Sequence, residues 1–189
     1  MIRKMKSYVP LGLPMTQSFG ASAGLACNPL ELLAHAHAVQ ERLCDALERI
    51  ADGLPDAVDR RLCAEVTATL IYDMPLHHRD EEQALFPLLR QKALAEDQLD
   101  DILDRLASEH QSDTDFAGEI AESLEILGRG DKVRNPDMVG YMLRGFFERY
   151  RRHLHWENTL VMPLARQRLT DEDLQALAMQ MDKNRADFL

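Results

Sequence analysis

The sequence predicts an all-α protein: an antiparallel up-down-up-down four-helix bundle, with an irregular N-terminal arm over residues 1–28 and a short C-terminal helix over 171–186. Three observations predict it. Leu, Ala, Glu, Asp and Arg dominate, with nine Gly and eight Pro among 189 residues, a composition that favours helix. Apolar residues recur at helical spacing between recognisable starts and stops. The second half of the chain also repeats a pattern of the first, as two copies of one helical hairpin would.

The elements follow in order. Residues 1–28 contain Gly, Pro and Ser and lack periodicity. Asn28 before Pro29 is an N-cap followed by proline at the first helical position. The first helix is expected over about 29–51, with Leu32, Leu33, Ala36, Leu43, Leu47 and Ile50 on one face. Asp52-Gly53-Leu54-Pro55-Asp56 stops it and starts a second, over about 55–92, with kinks expected at Pro75 and Pro87. A third is expected over about 97–127, ended by Gly128-Arg129-Gly130. Asn135-Pro136 opens a fourth, ending near 169, and Thr170 caps the fifth. The bundle core spans 29–168 within a single domain running to 189.

Composition narrows the function classes. A hydrophobic content of 46% fits one domain with a sizeable core. The net charge of -10 makes nucleic acid and anionic membrane poor partners. Cys27, Cys44 and Cys63 are widely spaced and form no CxxC; they read as small buried residues in a reducing compartment. Pro10 and Pro14 interrupt any signal-like segment, so the expected location is the cytoplasm.

The repeat carries the chemistry. HHRDEEQALFP at 77–87 and HLHWENTLVMP at 153–163 both read H-x-x-x-E-x-x-x-x-x-P, 76 residues apart. His37 and His110 precede them, 73 residues apart, each with apolar residues six and ten positions on. Residues i and i+4 share a helix face, so His77 with Glu81, and His153 with Glu157, each present an imidazole and a carboxylate together. His37 and His110 add imidazoles from the other two helices. Two carboxylates buried together would cost several kcal/mol each, and a pair of divalent cations offsets that cost. The donor set suits iron, manganese or zinc, and iron best for a dinuclear oxygen-rich bridge in a bundle.

On these residues the chain resembles the hemerythrin-like (HHE cation-binding) family over about 29–168. The EE-x-x-LFP run at 81–87 and Glu109-His110 are typical of that family. The resemblance implies a non-haem di-iron centre, oxo- or hydroxo-bridged. His37, His77, His110 and His153 would be terminal ligands, and Glu81 and Glu157 bridging ones. Oxygen-carrying members have a fifth histidine one turn after the third-helix histidine, where this chain has Thr114, and a carboxylate where it has Asn158. The six-ligand pattern is similar to the branch linked to nitric oxide, oxygen or iron-centre repair. Three functions are expected to compete: a binder or sensor of oxygen, nitric oxide or peroxide; a di-iron redox enzyme or repair protein served by a separate electron donor; and an interaction module with a structural metal.

Several neighbours need placing. His78-x-x-x-Glu82 is a rival register, but the second copy has Leu154 and Asn158 there, so the repeat rejects it. His35 and His155 lie about 200° around their helices from His37 and His153 and are expected at the surface or behind the ligands. Tyr150 lies on the ligand stripe, as a core residue or as a donor to a bound oxygen. Trp156 and Cys44 read as packing residues. Glu-x-x-His and HExxH are absent from the sequence, which rejects the ferritin-like and zincin frameworks.

Overall fold

The computed structural model describes residues 28–188; of the expected arm only Asn28 falls among them. Helix is the only regular structure among the described residues. α1 is Pro29–Gly53, capped by the Asn28 side chain, which accepts from the Leu30 N–H. α2 covers residues 60–92 and begins five residues later than the sequence suggested. Residues 54–56 instead form a turn, and the Asp59 carboxylate caps the helix by accepting from the Arg61 and Leu62 N–H groups at 3.0 and 3.1 Å. After a short turn at Ala95–Asp97, α3 runs Asp100–Arg129 and stops at Gly130, whose positive φ of 86° closes the helix end. α4 covers residues 136–168, and α5 is Asp171–Phe188. The Thr170 hydroxyl and the Asp173 carboxylate cap α5 reciprocally.

The prolines in α2 and α4 leave a distinct mark. The helices widen into π turns at Thr69–Asp73, Glu81–Leu85 and Glu157–Val161. Each turn is followed by one residue and then a proline: Met74-Pro75, Phe86-Pro87 and Met162-Pro163. A proline inside a regular helix lacks its N–H and clashes with the carbonyl four residues back. An inserted π residue relieves that clash, and such insertions recur at functional positions.

α1 packs against α4, α2 against α3, and α3 against α4, while α5 covers α2 and α1. Two apolar clusters form the core. One gathers Leu43, Leu47 and Ile50 with Val66, Leu70, Leu124, Leu143 and Phe146. The other gathers Leu30 and Leu33 with Leu85, Leu89, Leu103, Leu106 and Val161. A polar layer lies between them on every long helix: His37, His77 to Glu81, His110, and His153 to Glu157. Among the described residues, no helix is long and apolar enough to cross a membrane.

Candidate metal centre

The structure brings all six sequence-predicted residues into that layer. His37, His77, Glu81, His110, His153 and Glu157 are each 1% exposed or less. His37 Nε2 lies 3.3 Å from Glu81 Oε1 and 3.4 Å from Glu157 Oε2. His77 Nε2 and His110 Nε2 lie 3.3 and 3.4 Å from Glu81 Oε2. Glu157 Oε1 meets His153 Nε2 at 2.8 Å and His110 Nε2 at 3.4 Å. Two groups of donors result: His37, His77, Glu81 and Glu157; and His110, His153 and Glu157. Each carboxylate faces imidazoles from both hairpins.

Three imidazoles are anchored from behind. His37 Nδ1 donates to Asn158 Oδ1 at 2.7 Å, His110 Nδ1 to Glu82 Oε1 at 2.9 Å, and His153 Nδ1 to Glu109 Oε2 at 3.0 Å. A proton fixed on Nδ1 leaves the Nε2 lone pair directed inward, which is how metal-ligating histidines are oriented. His77 lacks such an anchor: neither ring nitrogen makes a hydrogen bond among the described residues.

The electrostatics fit a cation. Burial works against charge on His37, yet Glu81 and Glu157 outweigh it and lift the imidazole to about 9. Burial also opposes charge on His110, which Glu157 and Glu82 lift to about 10. Burial and repulsion from Glu157 push Glu81 up to about 7. Burial would raise Glu157 too, but His153 and His110 hold it well below the usual carboxylate range. Of the two carboxylates, Glu81 is therefore the one that keeps a proton more readily. Oxygens Glu81 Oε2 and Glu157 Oε2 make no hydrogen bond among the described residues. Buried lone pairs without donors are costly, and a divalent ion facing imidazole and carboxylate groups would satisfy them.

The surroundings contain residues whose contacts sequence reasoning did not supply. His78, rejected as a ligand, belongs to neither donor group but is buried beside them. It stacks on His110 with ring centroids 4.0 Å apart and meets the Tyr150 hydroxyl at 3.0 Å. Burial and neighbouring imidazoles hold it well below the usual histidine range, so it is neutral. Tyr150 is fully buried and stacks on His153 at 5.6 Å. Asp113 accepts from Arg149 Nε at 2.9 Å, joining α3 to α4 beside the ligands. Asp80, fully buried, lies 3.0 Å from Arg185 Nη2 and accepts from Asn184 at 3.0 Å, which fastens α5 to α2 one residue before Glu81. His155 is exposed, and His35 is partly buried. Trp156 is 38% exposed, with Arg105 over its ring, rather than packed inside. Cys44 is core, as expected, and burial pushes its thiol up to about 12. A cleft of about 150 Å³ between α2 and α3 reaches His78 and His110, with Glu82 and Thr114 in its lining.

An all-helical domain with a buried His/Glu cluster between two apolar clusters is a cation-binding bundle. Comparison with family models agrees: the hemerythrin HHE cation-binding domain model matches residues 28–165. The chain belongs to that family. No curated protein matches it.

Proposed function

We propose that this chain holds two iron ions and binds a small ligand there, of the class of oxygen, nitric oxide or peroxide. The observation that carries the reading is the position of Glu81 and Glu157. Each carboxylate lies within 3.4 Å of imidazoles from both hairpins, where a bridge between two metals would stand. His37 with His77, and His110 with His153, would then each terminate one metal. The order of the apolar clusters supports alternating helix directions: α1 and α3 pass from the second cluster through the polar layer to the first, and α2 and α4 pass the other way.

Bound iron would supply redox chemistry and an open coordination position. The chain's own contribution is confinement and orientation. The two apolar clusters exclude bulk water, Asn158, Glu82 and Glu109 aim three imidazoles, and the cleft beside Thr114 and His78 gives a small molecule a route to the layer. Electrons for any turnover would come from a separate protein, and the buried thiols of Cys44 and Cys63 suit the cytoplasm.

The test is the absorption spectrum of iron-loaded protein, recorded without air and then with oxygen, nitric oxide or peroxide. A near-ultraviolet band that appears or shifts with one of these supports the reading. A spectrum that none of the three changes contradicts it and favours a structural metal.

A further inference from the structure

The two copies of the repeat can be superposed residue by residue: His37 on His110, His77 on His153, Glu81 on Glu157. Their anchors can be superposed as well. Glu82 on α2 anchors His110, and its counterpart Asn158 on α4 anchors His37. Glu109, just before His110, anchors His153. The counterpart of Glu109 is Ala36, which has no side-chain acceptor to offer, and among the described residues His77 Nδ1 has no hydrogen-bond partner. A second difference adds to this one. His78 has Leu154 as its counterpart, and Tyr150 has Met74. His78 lies nearly parallel on His110, at 8°, and Tyr150 nearly parallel on His153, at 5°. Their 3.0 Å hydrogen bond ties the two stacks together. His78 Nε2 and the buried Tyr150 hydroxyl share that bond; with the phenol as donor, the His78 proton sits on Nδ1.

We infer that His78 and Tyr150 are a joined pair of positioning residues for His110 and His153, and that the half of the centre they brace takes its metal ahead of the His37–His77 half. This rests on the two-metal reading above. The His37–His77 donor group contains both carboxylates, but its two rings meet edge to face at 86° with one anchor between them, so binding must first order His77. In the other half both imidazoles are held at Nδ1 and across one face. Loss of such outer contacts typically weakens a metal site by about 10–100-fold.

The experiment is anaerobic titration of the metal-free full chain with cobalt(II), whose visible absorption reports each site as it fills. Two steps are expected. His37→Ala should abolish the weaker step and His110→Ala the tighter one. Tyr150→Phe keeps the stacked ring and loses the hydroxyl; it should weaken the tighter step about tenfold and leave the weaker one in place. His78→Phe should do the same, and the double variant should do no more than either single one, as coupled partners behave. Melting curves of the metal-free variants establish that each is folded. Equal weakening of both steps by Tyr150→Phe, no weakening of either, additive single variants, or loss of the tighter step in His37→Ala would each overturn the inference. A chain that takes up no cobalt overturns the metal-site reading itself, and this inference with it.

Discussion

In the first hairpin Ala36 precedes His37; in the second Glu109 precedes His110. The first hairpin has His78 where the second has Leu154, and Asp80 where the second has Trp156. The six candidate ligands match across the repeat while almost everything that supports them does not. One duplicated pattern thus places the donors, and the unduplicated positions decide how firmly each is held and which side of the bundle α5 covers. Asp80 is buried under Arg185 and Asn184, whereas Trp156 faces solvent.

The comparison can be broken most severely at the carboxylates. Glu157 belongs to both donor groups, and Glu81 reaches imidazoles of both hairpins. Glu157→Ala and Glu81→Ala are each expected to lower metal content to one per chain or none, measured by elemental analysis. Full two-metal occupancy in both variants would remove the bridging assignment.

The α5 contact gives the next largest effect. Removing one partner of a buried charge pair costs about 3 kcal/mol, so Asp80→Ala should show that loss in denaturant unfolding. The counterpart change, Trp156→Ala, removes a half-exposed ring and an Arg105 contact and should cost only about 0.5 kcal/mol. Similar losses in the two variants would mean that α5 does not distinguish the hairpins.

A finer change makes the second hairpin resemble the first. Glu109→Ala removes the acceptor behind His153 and should weaken metal binding about tenfold or more, read by competition with a chelator of known affinity. Unchanged affinity would separate the hydrogen bond from metal binding.

The gentlest probe is pH. The carboxylates lift His37 to about 9 and His110 to about 10 against the pull of burial. Protonated, these imidazoles stabilise the metal-free fold fully below pH 6.5, and that contribution fades as pH rises through 9 and 10. Metal must displace the same protons, so affinity rises over the same interval and metal is released on mild acidification. Melting temperature of the metal-free chain and metal affinity should therefore run in opposite directions between pH 6.5 and 9. Parallel trends would contradict the assignment of these protons.

The sequence made the all-helical class and the grouping of six His and Glu side chains legible for one reason: period and repeat are properties of the chain itself. His77 with Glu81 and His153 with Glu157 declare a shared face by spacing alone. The anchors were not legible. Asn158 registered as a departure from a ligand pattern, and its contact with His37 depends on how α4 meets α1. The repeat set His78 apart from the six candidate donors, but it had no means of showing a ring stacked on His110. Pro75 and Pro87 were read as kinks, and Pro163 drew no such reading; the structure absorbs all three with π turns, an option that local propensity does not rank. The start of α2 was placed at Pro55, where the stop signal ends, while the cap that fixes it is Asp59.

The most direct test of the central claim is the metal content of protein purified without air. Close to two irons per chain is the result expected of two donor groups joined by Glu81 and Glu157. No metal, or a single zinc indifferent to oxidants, would contradict a di-iron centre and leave the repeat as the scaffold of a structural site.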